Sequence, residues 1–314
     1  MSYCRFKIHA SEGEMFYLIT SRMTGGSFVL HDEEKQKFRD LLRLAEQRFA
    51  CYIHEWVSLD NHWHFVISIP HLDDMDELTL KKKYELSHRA SLNPEQSTLD
   101  EYREKIHDLS YIVGNIEQRF TQWFNKKHKR QGVLFSCRFD SALIESNHSL
   151  LRCILYVILN PVRAGIVVDP KDYYWSSYAE KLSGNIYAGD GRLIPLLMNL
   201  LTDGQGYEAS GFPEQRQDYL NFLRFALGEQ KQFKSRDRTV SEALAKVGKE
   251  IQTTWLDESH HKLKYMTKGW AIGSKVFVEK VKAQFFERLH RKRPLRETIH
   301  HDWDDFYSLK KHQS

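Results

Sequence analysis

The run Asn61-His62-Trp63-His64-Phe65-Val66-Ile67-Ser68-Ile69 sets two imidazoles two residues apart in an apolar stretch. On a β-strand such positions share a face, so both rings can converge on one divalent cation while Trp63, Phe65, Ile67 and Ile69 pack on the other side. With 16 His in 314 residues, roughly 0.8 such pairs arise by chance, so the spacing alone is weak. His54, on the preceding strand-like run, is either a further ligand or a satisfied structural histidine. A second pattern lies in the apolar segment around Leu150–Leu159, where His148, Arg152, Tyr156 and Asn160 recur at i+4 and line one side of a buried helix. A tyrosine on that stripe can attack phosphorus if a metal or an arginine supplies positive charge, since the free phenol has a pKa of about 10. It can equally be a core-edge tyrosine with a bonded hydroxyl. Pro161 disfavours helical geometry at Asn160 and leaves the direction of its amide open.

The elements that must position these groups can be read from periodicity. Met15 to Arg22 reads as a strand, and Asp32 to Phe49 as a helix with Phe38, Leu41, Leu42, Leu44 and Ala45 inward. Cys51 to Ser58 and His62 to Ile69 form a hairpin across Leu59-Asp60-Asn61. A polar stretch from His71 to about Gln96 follows, then one long helix over Asp100 to Lys127, an extended segment over Val133 to Glu145, and a helix over Asn147 to Asn160 capped by Asn147 or Ser146. The order β-α-β-β-α-β-α contains the split βαβ plan of a ferredoxin-like antiparallel sheet, an α+β fold. Beyond Tyr187 the texture changes. Gly189-Asp190-Gly191 reads as a linker, helices follow near Leu193–Leu201 and Arg216–Ala226, and Gly269 to Val281 reads as a turn into a helix at Ser274. The expected division is a catalytic domain over 1–185 and a mainly helical accessory domain over 192–314.

Composition narrows the classes. Hydrophobic residues make up 41% and charged residues 28%, as in a folded soluble protein rather than a disordered one. No stretch reaches the ~20 apolar residues that span a bilayer, the first residues lack a signal-peptide core, and a cytoplasmic protein without membrane partners is expected. Cys4, Cys51, Cys137 and Cys153 are scattered, with no paired metal-finger or disulfide spacing. The net charge of +4 is too small to indicate a nucleic-acid partner by itself. Its distribution says more. Arg119, Lys126, Lys127, Lys129 and Arg130 crowd around Phe120, Trp123 and Phe124. A second group, Lys280, Lys282, Arg288, Arg291, Lys292, Arg293 and Arg296, accompanies Phe285 and Phe286. Cations beside aromatics suit a single strand, whose phosphates are neutralised and whose bases stack. For either group alone, a solvated face over core aromatics is the more ordinary explanation.

Taken together, the histidine strand and the tyrosine helix resemble the single-tyrosine HUH transposases of small insertion sequences, in particular the REP-associated tyrosine transposases. Asn61-His62-Trp63-His64 resembles the family's His-hydrophobic-His motif, and Gly132-Val-Leu-Phe-Ser-Cys-Arg138-Phe139-Asp140-Ser141 its glycine-containing strand entry. Tyr156-Val-Ile-Leu-Asn160-Pro161-Val162-Arg163-Ala164-Gly165 is similar to its tyrosine helix, and Tyr173-Tyr-Trp175-Ser176-Ser177-Tyr178 to the segment after it. The resemblance covers roughly Tyr17 to Leu182. Gly269-Trp-Ala-Ile-Gly273-Ser274 with Phe277-Val-Glu279 is similar to the tail of longer members. Departures are Asp60 in place of the usual proline, Cys137 in place of glycine, Asp140 in place of a frequent basic residue, and an insertion near residues 71–98.

The resemblance implies the HUH endonuclease fold, a Mg²⁺ or Mn²⁺ ion held by His62 and His64 with Asn160 completing the site, and Tyr156 as the nucleophile. It implies metal-dependent cutting and rejoining of single-stranded or hairpin DNA, such as REP-like palindromes, through a 5′-phosphotyrosine. The protein is then a monomer or a homodimer. Arg119, Lys126, Lys127, Lys129, Arg130, Arg138, Arg152 and Arg163 are the expected DNA contacts. The competing readings are a non-catalytic DNA-binding regulator on the same scaffold and a metal phosphodiesterase that uses water.

Overall fold

In a computed structural model, which describes residues 13–26, 29–88, 94–146, 148–202, 211–232, 238–255, 269–289, 297–299 and 307–310, Met15–Arg22 forms strand β1 at the centre of a sheet. Its residues are apolar on both sides because both faces are covered. Tyr17 and Ile19 enter one core with Phe38, Trp63, Phe65 and Phe120. Phe16 and Leu18 enter another with Val57, Val66, Ile154 and Tyr156. Helix α1, Asp32–Arg48, begins with three acidic residues against the positive end of its dipole, and Glu34 reaches back to the His31 amide. Strands β2, Tyr52–Ser58, and β3, His62–Ile69, form the expected hairpin. A bulge between Ile53 and Glu55 shifts the alternation, which lets both Ile53 and Trp56 face the α1 side.

The polar stretch after β3 contains α2, Glu77–His88. The single helix expected over Asp100 to Lys127 is two, α3, Gln96–Ile106, and α4, Leu109–Lys127. The break has a local cause: the Asp108 carboxylate accepts from the amides of Ser110 and Tyr111, an N-cap that starts a new helix. Strand β4, Asp140–Ile144, follows, and then α5, His148–Ile158. Residue 147, one of the two expected caps, lies outside the described residues. Pro161 has no N–H to give the Val157 carbonyl, so the ladder breaks there and a short helix α6, Asn160–Arg163, continues after Leu159.

The remaining helices are α7, Ser177–Leu182; α8, Asp190–Leu201; α9, Phe212–Ala226; α10, Arg238–Trp255; and α11, Lys275–Leu289. Helices α1 and α4 cover one face of the sheet, and α5 covers the other together with α8 and α9. Gly189-Asp190 is not a linker but the packed start of α8. A Cβ at Gly189 would sit 2.7 Å from His54 Nδ1 and 2.9 Å from the Ile53 carbonyl. Only glycine lets the backbone approach that closely.

Strand order is β2-β3-β1-β4-β5-β7-β6, where β5 is Gly269–Gly273, β6 Glu297–Ile299 and β7 Tyr307–Lys310. The first four strands pair antiparallel throughout, but β5 joins β4 in parallel through Leu143–Ala271 and Ile144–Ile272. The sheet is therefore mixed rather than antiparallel. The long helical crossover from β4 to β5 makes a parallel pairing sterically possible, which a tight turn could not. The expected turn at Gly269 is thus a strand. Ala271 and Ile272 are fully buried in the two cores.

A buried ion cluster ties α7 and α8 to β2. Lys181 Nζ lies 2.5 Å from the His54 carbonyl, 3.0 Å from Glu55 and 3.3 Å from Asp190, all shielded from solvent. Burial alone would lower the lysine's pKa, but the two carboxylates outweigh it and keep the ammonium charged. Lys181→Met leaves two buried carboxylates without their cation. It is expected to cost about 3–5 kcal/mol of stability, read by urea denaturation.

Candidate active site

Register brings the site together. In the β1–β3 pairing Thr20 stands opposite His64 and Arg22 opposite His62, so these four residues share the sheet face that α5 covers. His64 Nδ1 is 2.7 Å from Thr20 Oγ1, and His62 Nδ1 is 2.6 Å from Asn61 Oδ1. The Asn61 oxygen requires a proton on His62 Nδ1, which leaves Nε2 with its lone pair. The two rings lie 5.0 Å apart, centroid to centroid.

Helix α5 returns along the sheet from the far end of β4 and delivers Tyr156 over this pair. Its hydroxyl is 3.4 Å from His64 Nε2, and the ring centroids are 5.2 Å apart. One turn later Asn160 lies beside both His62 and Tyr156, favouring the protonated ring and the ionised phenol. The Arg163 guanidinium sits 5.0 Å above the Tyr156 ring centroid, where its charge draws the phenol toward ionisation. His64, Tyr156 and Asn160 are only 1%, 5% and 7% exposed.

Burial sets the charge states. It pushes His62 down to about 4, assisted by Arg22 and opposed by the bond to Asn160. His64 is held well below the ordinary imidazole value by burial, then by His62, Arg22 and Arg163. Both rings are therefore neutral at pH 7, with lone pairs to offer. Burial also raises the Tyr156 phenol, while Arg163, Arg22 and the Asn160 bond pull it back. The arrangement couples a nucleophile-capable oxygen to two neutral nitrogen donors, one amide and two cations.

The chain's sequence matches no family model and no curated protein. A solved structure is similar to it, that of a REP-associated tyrosine transposase bound to a REP hairpin. The identity is 17% and the TM-score 0.42, with 59% of this chain and 86% of the other covered. Residue roles here rest on the geometry above.

The remaining candidates separate. Arg138 is exposed on the loop that joins β1 through Thr24–Leu134 and Ser136–Arg22 backbone bonds, at the same end of the sheet as His62. Arg152 is half-buried one turn before Tyr156. Arg119, Lys126, Lys127, Lys129 and Arg130 belong to α4 and its C-terminal turn, on the opposite layer from α5. Arg119 bonds Asn115, Lys127 is paired with Glu33 and Glu34 at 2.5 Å, and Arg130 bonds the Val133 carbonyl. Phe120 and Phe124 are core residues and have no free face for a base. Arg291, Lys292, Arg293 and Arg296 lie outside the described residues, as does the Arg288 side chain.

His54 is not part of the site. It is buried four residues from His64 along the β2–β3 ladder, with Nε2 2.7 Å from Ser68 Oγ. Burial, then Lys181, pushes it down to about 3. An unfolded histidine titrates near 6.5, so from about pH 6.5 down to 3 the unfolded chain binds a proton that the folded chain refuses, and stability falls with pH. His54→Gln is expected to remove up to about 1.4 kcal/mol per pH unit of that slope, measured by urea titrations at pH 6 and 4.5.

Thr20 and Arg22 were not singled out by motif. Their signal is faint but present, since Phe16, Leu18, Thr20 and Arg22 share one strand face that turns polar at its end.

Proposed function

We propose that this chain cuts and rejoins single-stranded or hairpin DNA as a transposase-like endonuclease, through a 5′-phosphotyrosine on Tyr156. The observation that carries the reading is the convergence of the Tyr156 hydroxyl, His64 Nε2 at 3.4 Å, His62 and Asn160 in one buried pocket. The order β4-β1-β3-β2, with α1 in the first crossover and α4 in the second, supports it as the split βαβ plan of a ferredoxin-like sheet.

The donor set fits a divalent ion. Both imidazoles are neutral, each Nδ1 is engaged by a neighbouring side-chain oxygen, and Asn160 adds an amide oxygen beside them. Among the described residues no three of His, Cys, Asp and Glu gather in a metal-holding group, and the set proposed is two His and one Asn. His62, His64 and Asn160 would hold Mg²⁺ or Mn²⁺, which when bound polarises the phosphate and offsets its developing charge.

The rest of the chemistry belongs to the chain. Burial raises the phenol, and Arg163 and Asn160 pull it back toward its deprotonated form. The Tyr156 O–P bond forms as the P–O3′ bond breaks; the phenol proton passes to water and the leaving 3′ oxygen takes one up. A new 3′-OH attacking the tyrosyl ester reverses the step and rejoins strands without ATP.

A 3′-labelled single strand incubated with protein and Mn²⁺, then run on a denaturing gel with and without protease, tests this. A protease-sensitive shifted band is expected. Cleavage without a shift would replace the reading by water-based hydrolysis, and binding without cleavage by a DNA-binding regulator.

A further inference from the structure

We propose that Arg22 and Arg163 form a two-armed clamp on the phosphodiester that Tyr156 attacks, Arg22 reaching from the sheet and Arg163 from α6. The proposal rests on the Tyr156 reading and gives its substrate group a binding site. The two arginines come from different layers, Arg22 exposed at the end of β1 and Arg163 half-buried on α6. Arg22 ends β1 opposite His62, and its backbone is pinned on both sides. Its carbonyl accepts from the Ser136 amide at 3.0 Å, and the next amide, of Met23, donates to the Asn61 carbonyl at 2.9 Å. Arg163 is equally fixed. Helix α6 closes with Gly165 N–H on the Val162 carbonyl and Ile166 N–H on the Pro161 carbonyl, a closure that needs the left-handed φ of 69° found at Gly165.

Their charges have been left for something else. Several arginines of the fold are tied to carboxylates, Arg39 and Arg43 to Glu180 and Arg192 to Glu14, and others, such as Arg48, Arg103 and Arg216, are held by backbone carbonyls. Among the described residues neither Arg22 nor Arg163 has an acidic partner within 4 Å. Arg163 Nε is moreover buried without any acceptor. Arg39 Nε and Arg216 Nε are open too, but their guanidiniums are held by Glu180 and by the Lys181 and Asn185 carbonyls; an anion seated between Arg163 and Arg22 would satisfy the Arg163 donor. The positive field of both arginines already falls on His64 and on the Tyr156 hydroxyl. With both imidazoles neutral, these guanidiniums are the fixed positive charges beside the nucleophile. A guanidinium fork matches two non-bridging phosphate oxygens and strengthens its grip as charge grows on them.

The test compares wild type with Arg22→Ala, Arg163→Ala and the corresponding Lys variants, on one labelled single-stranded oligonucleotide. Binding is followed over a range of NaCl concentrations, and adduct formation at saturating DNA with Mn²⁺. Each Ala variant is expected to flatten the slope of log affinity against log salt by about 0.7. Each is also expected to slow adduct formation at saturation by about 10²–10³-fold. The Lys variants should recover the salt slope but not the full rate, because a point charge lacks the fork. Unchanged slopes, or unchanged rates at saturation, would overturn the clamp even where the wild type forms its adduct and the Tyr156 reading stands. Flattened slopes in a protein that forms no adduct would support a phosphate site and overturn the chemistry proposed for Tyr156.

Discussion

Tyr156→Phe is expected to abolish the protease-sensitive DNA adduct, by a factor on the order of 10⁴ or more, while leaving the protein folded and able to bind DNA. The substitution removes one oxygen from a buried ring and almost no volume. The lost bond is the long one to His64 Nε2, worth no more than the ~0.5–1.5 kcal/mol of an ordinary hydrogen bond. A thermal melt within a few degrees of wild type checks that part. The tyrosines that next follow it in the described chain are engaged elsewhere or exposed. Tyr173 donates to the Ser58 carbonyl at 2.7 Å, Tyr178 donates to Glu229 at 2.6 Å, and Tyr174 is exposed on the outside of the sheet edge. A shifted band that persists in the Phe variant would place the nucleophile elsewhere.

His64→Ala is expected to slow adduct formation on the order of 10³-fold, the scale of several kcal/mol of transition-state stabilisation. This side chain links Thr20 to Tyr156, and its loss removes a nitrogen donor and the group against which the phenol is seated. Because His64 is buried, His64→Asn serves as the control that retains more volume. Asn160→Ala should cost less, roughly ten- to hundredfold, and recover in part as Mn²⁺ is raised, whereas the His62/His64 double variant should not recover. DNA affinity should stay within a few-fold of wild type in all of them, since phosphate contacts elsewhere carry it. Undiminished cleavage by the wild type in EDTA would remove the metal from the reading altogether.

Much of the site can be read locally. Strand alternation puts His62 and His64 on one face, and helical spacing puts Arg152 and Tyr156 on one stripe, because each depends only on neighbours within one element; Asn160 opens the next helix, α6. Where local reading misled, a specific competing interaction prevailed. A carboxylate cap at Asp108 splits the helix expected over Asp100 to Lys127, and the Gly189 backbone packs on His54 where a linker was expected. The basic run on α4 flanks aromatics, for which a solvated face over core residues is the more ordinary explanation. Two of those aromatics are core residues, and Lys127 is neutralised by Glu33 and Glu34.

The sequence by itself determined the character of each element: which residues alternate on β3, which line the stripe of α5, and that a chain this apolar has a core. Tertiary structure alone decided their company. That Thr20 orients His64, that Arg22 stands opposite His62, that Arg163 covers Tyr156, and that residues near 270 extend the sheet in parallel all follow from register and layer packing between segments far apart in the chain. Periodicity fixes the side on which a residue lies, because it repeats within one helix or strand. Register is set by burying every face at once, and no single segment carries that information.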